Sequence, residues 1–169
     1  MVMYDDPLRR LQESFASARG LYEAGKFDEA LRALEEVPDR YQVNPELLEF
    51  RCHLYLAAQQ WELAADLAQR LTETVPGEPG HWISWAFATR RLQSIAAAEK
   101  ILEAARAAHP ECATIHFNLA CYAAQTGRLA EAAAHLKTAI RLEPAMARQA
   151  AADADLLPLF QNPPAGFSL

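Results

Sequence analysis

Gly25-Lys26-Phe27-Asp28-Glu29-Ala30 and Gly127-Arg128-Leu129-Ala130-Glu131-Ala132 carry one pattern: a glycine, a basic residue, a large apolar residue, then a glutamate before an alanine. They lie three times 34 residues apart, and the period continues between them. Segments 11–44, 45–78, 79–112 and 113–146 align without gaps. Position 20 of each reads Ala30, Ala64, Ala98 and Ala132; position 8 reads Ala18, Cys52, Ala86 and Ala120. Position 17 is large and apolar throughout: Phe27, Trp61, Ile95 and Leu129. Pro76, Pro110 and Pro144 share position 32. A fixed period of this length marks a chain of stacked supersecondary units.

Each unit reads as two amphipathic helices, A and B, joined by a short turn. Gly25 and Gly127 stand where the A helix ends and a left-handed residue is wanted, with Gln59 and Gln93 in that place in the middle segments. Small residues at positions 8 and 20 let A approach B closely, and the large residue at 17 fills the space beside them. Proline at 32 ends helix B, because it cannot continue a helix interior. One short pair cannot bury its apolar face alone, so pairs must stack. Composition agrees. Alanine supplies 35 of the 169 residues, and Val, Ile and Thr together only 15, which favours helix over strand.

This frame of small residues and prolines, with Trp82 at position 4, Leu119 at position 7 and the two inter-helix turns, resembles the tetratricopeptide repeat family across 136 residues. The resemblance implies an all-α, right-handed superhelix of four antiparallel helix-turn-helix repeats plus a C-terminal capping helix. The expected divisions are an N-terminal extension over 1–10, the four repeats, a capping helix over 147–160 and a flexible tail over 161–169. Asp6-Pro7 reads as an N-cap followed by proline at the first helical position. Asn162-Pro163-Pro164-Ala165-Gly166 is incompatible with regular structure, and Phe160 and Phe167 are candidates to pin it. Two departures stand out. Arg51 occupies position 7, where the family usually buries a leucine, so its head is expected to reach solvent or a carboxylate. Trp85 at position 7 and Thr89 at position 11 imply local repacking.

At 100° per residue, positions 2, 5, 9, 12 and 13 of helix A share one face, opposite the packed positions 4, 7, 8 and 11. By the resemblance, the first set lines a concave groove that holds peptides. Its members here include Phe15, Arg19 and Tyr22, then Glu49, His53 and Leu56, then Ile83, Phe87, Arg90 and Arg91, then Phe117 and Cys121. Stacking does not require aromatic residues there, and an exposed apolar patch usually marks a binding surface. The alternatives are that the rings fill gaps between neighbouring A helices, or that the C-terminal tail occupies the groove. Charge is uneven: repeats 1 and 2 carry six basic and thirteen acidic residues, repeats 3 and 4 seven basic and five acidic. An acidic ligand stretch opposite Arg90 and Arg91 follows as an expectation. The clamp by which one subfamily binds chaperone C-termini needs lysine and asparagine where this chain has Phe15, Arg19 and Phe50, or Glu49, His53 and Ser84, so that function is not expected.

Other chemistry lacks a signature. There is no glycine-rich phosphate loop and no nucleophile elbow. His109, Cys112 and His116 are close in sequence but straddle a helix end, and fix no fourth ligand. No cofactor, metal or catalysis is expected. The net charge of −6 argues against nucleic acid. No apolar run suits a membrane span, the acidic N-terminus is unlike a signal peptide, and three cysteines without a Cys-x-x-Cys pair fit a reducing cytoplasm. The reading is a non-catalytic, cytoplasmic protein-interaction module, a monomer or weak homodimer, that binds a partner peptide or helix. The alternatives are a small cytoplasmic chaperone of secreted proteins and a self-associating structural unit.

Overall fold

The computed structural model describes residues 6–168, and among them there are ten α-helices and no strand. The chain forms two compact units, one ending at Leu92 and the other beginning at Gln93. The all-α class expected from composition is the class observed. No helix among the described residues is long and apolar enough to cross a membrane.

The first unit holds α1 (Pro7–Glu23), α2 (Phe27–Glu35), α3 (Pro45–Ala57), α4 (Trp61–Thr74) and α5 (Pro79–Leu92). Asp6 caps α1, its Oδ1 accepting from the Leu8 amide at 3.0 Å, with Pro7 at the first helical position. The rest of the expected extension, residues 1–5, lies outside the described residues. Asn44 caps α3 in the same way, accepting from Leu47 at 3.3 Å ahead of Pro45. The helix starts keep the period of the sequence: α3 and α5 begin at Pro45 and Pro79, α2 and α4 at Phe27 and Trp61. Helices α1 and α2 close on Ala18, Ala30, Leu34 and Leu54, with Phe15, Phe27 and Phe50 packed against them. Cys52, Leu67, Ala68 and Leu71 form a second core, against which Tyr55 and Trp85 lie. Trp85 thus packs against a core where a smaller residue was expected, while Thr89 is buried.

The turns show how sequence sets backbone. Gly25 has φ +74° and Gln59 φ +58°, both left-handed. Gln93 does not follow; Ser94 instead caps the next helix, accepting from the Ala97 amide at 3.1 Å. Arg51 is half-buried and lines an open cleft. Its Nη2 donates to the Gln42 side-chain oxygen, not to a carboxylate. Gln42 in turn donates from Nε2 to the carbonyls of Leu34 at 3.0 Å and Val37 at 2.7 Å. The amide both satisfies the guanidinium and closes carbonyls at the C-terminal end of α2.

The second unit holds α6 (Ile95–Ala108), α7 (Ala113–Gln125), α8 (Leu129–Leu142), α9 (Met146–Ala152) and α10 (Leu157–Gln161). Helices α7 and α8 form a hairpin around Gly127, φ +77°. Ala98, Ala120 and Ala132 at positions 8 and 20 are fully buried, as the close approach requires. The single capping helix expected over 147–160 is corrected to three pieces: α9, a 3-10 turn at Ala154–Leu156, and α10. Asp153 stops α9 and caps the turn, accepting from the Asp155 amide at 2.8 Å. Pro158, which has no N–H to give and whose ring clashes one turn back, then sits at the start of α10. The last residues are irregular but tied down. The Phe167 amide donates to Pro164 O at 3.0 Å, and the Phe160 and Phe167 rings are 6.4 Å apart.

Candidate functional site

Within the first unit, the candidate residues lie on α1, α3 and α5. Phe15 on α1 is half-buried, its ring 5.2 Å from Phe50 on α3. Beside it opens a cleft of about 340 Å³ lined by Leu11, Gln12, Phe15, Ala16, Arg19, Asn44, Glu46 and Leu47. Arg19 is exposed at its rim. Tyr22 is 39% exposed while keeping contact with Phe27 at 5.6 Å and Phe50 at 5.8 Å. One edge of each ring is held and the other is wet, the usual condition of an aromatic contact residue.

Between α3 and α5 a smaller cleft of about 130 Å³ is lined by Glu49, Cys52, His53, Glu78, Gly80, His81 and Ser84. His53 is exposed and Glu49 half-buried. Glu49 Oε1 lies 3.1 Å from Nε2 of the buried His81 ring, a contact that ties the two helices together. Sequence reasoning passed over His81 because its position belongs to neither the packed nor the inner set. Burial pushes the Cys52 thiol up to about 12, and its Sγ faces the Ala64 carbonyl at 3.7 Å.

Leu56, Ile83 and Arg90 are half-buried, and Phe87 and Arg91 are exposed. The Arg91 guanidinium lies over the Phe87 ring at 5.0 Å and over Trp61 at 5.9 Å, and the two rings meet edge-on at 5.9 Å. Phe87 still leaves 40% of its surface in water. Leu63 and Leu92 are further exposed apolar residues of the first unit. A larger cleft of about 590 Å³ opens beside α2 and α4, lined by Asp28, Arg32, Glu35, Asp39 and Arg51 among others. Asp28, Arg32 and Glu35 belong to α2 and Asp39 to the segment after it, while Arg51 reaches the cleft from α3.

In the second unit the expected face is not open. Phe117 and Cys121 are each 3% exposed, which corrects their assignment to a groove wall. At Cys121 the chain's own C-terminal segment lies against this face. Gln125 Nε2 donates to Asp155 O at 2.9 Å, and the Cys121 sulfur lies within 4.8 Å of carboxylate oxygens of Asp153 and Asp155. Leu156 and Leu159, both fully buried, fasten that segment to α7 and α8, each contributing about 1.5–3 kcal/mol by area. His109, Cys112 and His116 do not converge on one point among the described residues.

A family model described as tetratricopeptide repeat matches residues 15–79 and 88–155, well over half of the chain. Among solved structures, MamA from residue 41 to its end, from Desulfovibrio magneticus RS-1, is similar at TM-score 0.65 and 18% identity, covering 80% of this chain and 76% of that one. A structure of MamA protein reaches TM-score 0.68 at 18% identity, covering 83% and 77%. A thermophilic tetratricopeptide repeat protein from Thermus thermophilus is similar at TM-score 0.66 and 22% identity, covering 91% and 92%. At these identities the likeness shows the fold. No match was found among curated proteins.

Proposed function

The chain belongs to the tetratricopeptide repeat family, and from that premise we propose that it is a non-catalytic protein-binding module whose ligand lies on the A-helix face of the first unit. Members of the family are in general interaction modules without catalysis. The observation that carries the reading is the cleft beside Phe15, apolar in its floor and edged by Arg19, on the same face as the exposed Tyr22 and Phe87. An extended or helical segment with one aliphatic or aromatic anchor for the cleft and a carboxylate for Arg19 fits that chemistry. The receptor residues are set by packing, so the ordering cost falls on the ligand.

A peptide selected from a random display library against the whole protein tests this, with binding then measured by fluorescence anisotropy. Arg19→Glu and Phe87→Ala, both at exposed positions, should each weaken the selected peptide at least tenfold, about 1.4 kcal/mol. Failure to enrich any peptide, or affinity unchanged in both variants, would sink the proposal. Light scattering across concentration separates the self-associating alternative, which predicts mass rising with concentration and falling back in Phe87→Ala.

A further inference from the structure

A histidine and two carboxylates converge in the second unit. Glu131 and His135 stand one turn apart on α8 and Glu103 stands on α6, with one donor atom of each within 4.8 Å of the others. The bonds behind His135 decide what its ring presents to them. The Pro110 carbonyl can only accept, and it lies 2.9 Å from His116 Nε2, so that nitrogen carries the proton. Nδ1 of the neutral His116 ring is then an acceptor, and the atom facing it at 3.3 Å is His135 Nδ1. His135 Nδ1 is therefore the donor. Its Nε2 is left with a lone pair, 4.0 Å from Glu131 Oε1, in a side chain only 14% exposed. A lone pair turned toward two carboxylates is a donor set that a metal ion can complete.

The neighbouring arginines pair with both carboxylates without bonding to His135 Nε2. Both Arg106 bonds to Glu103 fall on Oε2, at 2.6 and 2.9 Å, and leave Oε1 out of the pair. Arg128 Nη1 donates to Glu131 Oε2 at 3.2 Å and to Oε1 at 3.4 Å, while its Nη2 is committed to Glu99 at 2.6 Å, so an ion takes Oε1 from the longer of the two contacts.

We propose that Glu103, Glu131 and His135 form a binding site for a divalent metal ion of the zinc class, with His116 and the Pro110 carbonyl as the hydrogen-bond chain that sets the His135 tautomer. One nitrogen and two oxygens suit zinc better than magnesium or calcium, which take oxygen alone. Fixing a ligating ring through its other nitrogen is how histidine sites are commonly built. Bond lengths of about 2.0–2.2 Å require the carboxylates to swing inward by about an ångström, and leave a fourth position for water. The ion would tie α6 to α8.

The test uses the full chain, stripped with a chelator and titrated with zinc chloride by calorimetry, and with cobalt by visible absorption. One equivalent of zinc should bind at about micromolar Kd or tighter. Glu103→Gln and His135→Gln should each weaken it at least tenfold, and His116→Phe by about 10–100-fold. Circular dichroism confirms folding, and Glu103→Gln, at a half-exposed position, serves if a ring variant unfolds. No uptake by the folded protein, or uptake unchanged in Glu103→Gln and abolished by Cys112→Ser or Cys121→Ser, overturns the site. Nitrogen-15 NMR of the metal-free protein should show His135 protonated on Nδ1; protonation on Nε2 instead would remove its basis.

Discussion

Gln59 holds a left-handed backbone at φ +58° where the equivalent turns have Gly25 and Gly127. A Cβ in that region costs about 1–2 kcal/mol, partly offset by the greater unfolded-state freedom of glycine. Gln59→Gly should therefore stabilise the protein by about 0.5–1 kcal/mol, read as a higher urea midpoint; a lower midpoint would show that the glutamine side chain contributes more than its backbone costs. Cys52 makes a second residue-level prediction. Its thiol is pushed from 9.0 up to about 12 by burial, so the folded state favours the protonated form. That contribution is complete below about pH 9 and is lost as pH climbs toward 12, because unfolding then releases a proton. Iodoacetamide near neutral to mildly alkaline pH should label the half-exposed Cys112 and leave Cys52 untouched in peptide maps. Equal labelling of both would contradict the burial argument.

At the scale of the helices, the period predicts where each begins, but the closures between them are specific. The Gln42 amide holds the end of α2 and the Arg51 head in one bond network. Gln42→Ala removes these bonds at a half-buried place, and should cost about 2 kcal/mol in a denaturation experiment, with Arg51→Leu in the same background recovering part of it. No recovery would mean that the guanidinium is solvated without Gln42. Arg51 stands out in the sequence as an anomaly, but its partner, in an irregular segment upstream, does not. Asp153 and Pro158 break the segment in the structure, whereas the run of alanines around them reads in the sequence as one helix.

At the scale of the whole molecule, the C-terminal segment packs on α7 and α8. In the second unit it lies against the part of α7 that carries Cys121 and Gln125. Leu156→Ala should destabilise by about 2–5 kcal/mol and make Cys121 react faster with a thiol reagent, measured by labelling kinetics under native conditions. Unchanged kinetics would show that the segment does not guard that face. In the first unit the corresponding positions keep Arg19, Tyr22, His53, Phe87 and Arg91 exposed.

The 34-residue period, the small residues at its helix contacts and its turn residues were enough to establish the helical class and the phase of the helices. Those features depend on spacing along the chain, and on side chains whose neighbours are one or two turns away. Spacing also placed the inner-face residues on one side of each helix, but not in or out of water. That was settled by tertiary contact, because Phe117 and Phe87 hold the same kind of position and differ in what the rest of the chain lays over them. The pairing of Glu103 with Glu131 and His135 was invisible for the same reason: it joins α6 to α8, and only the packing of those helices brings the three donors together.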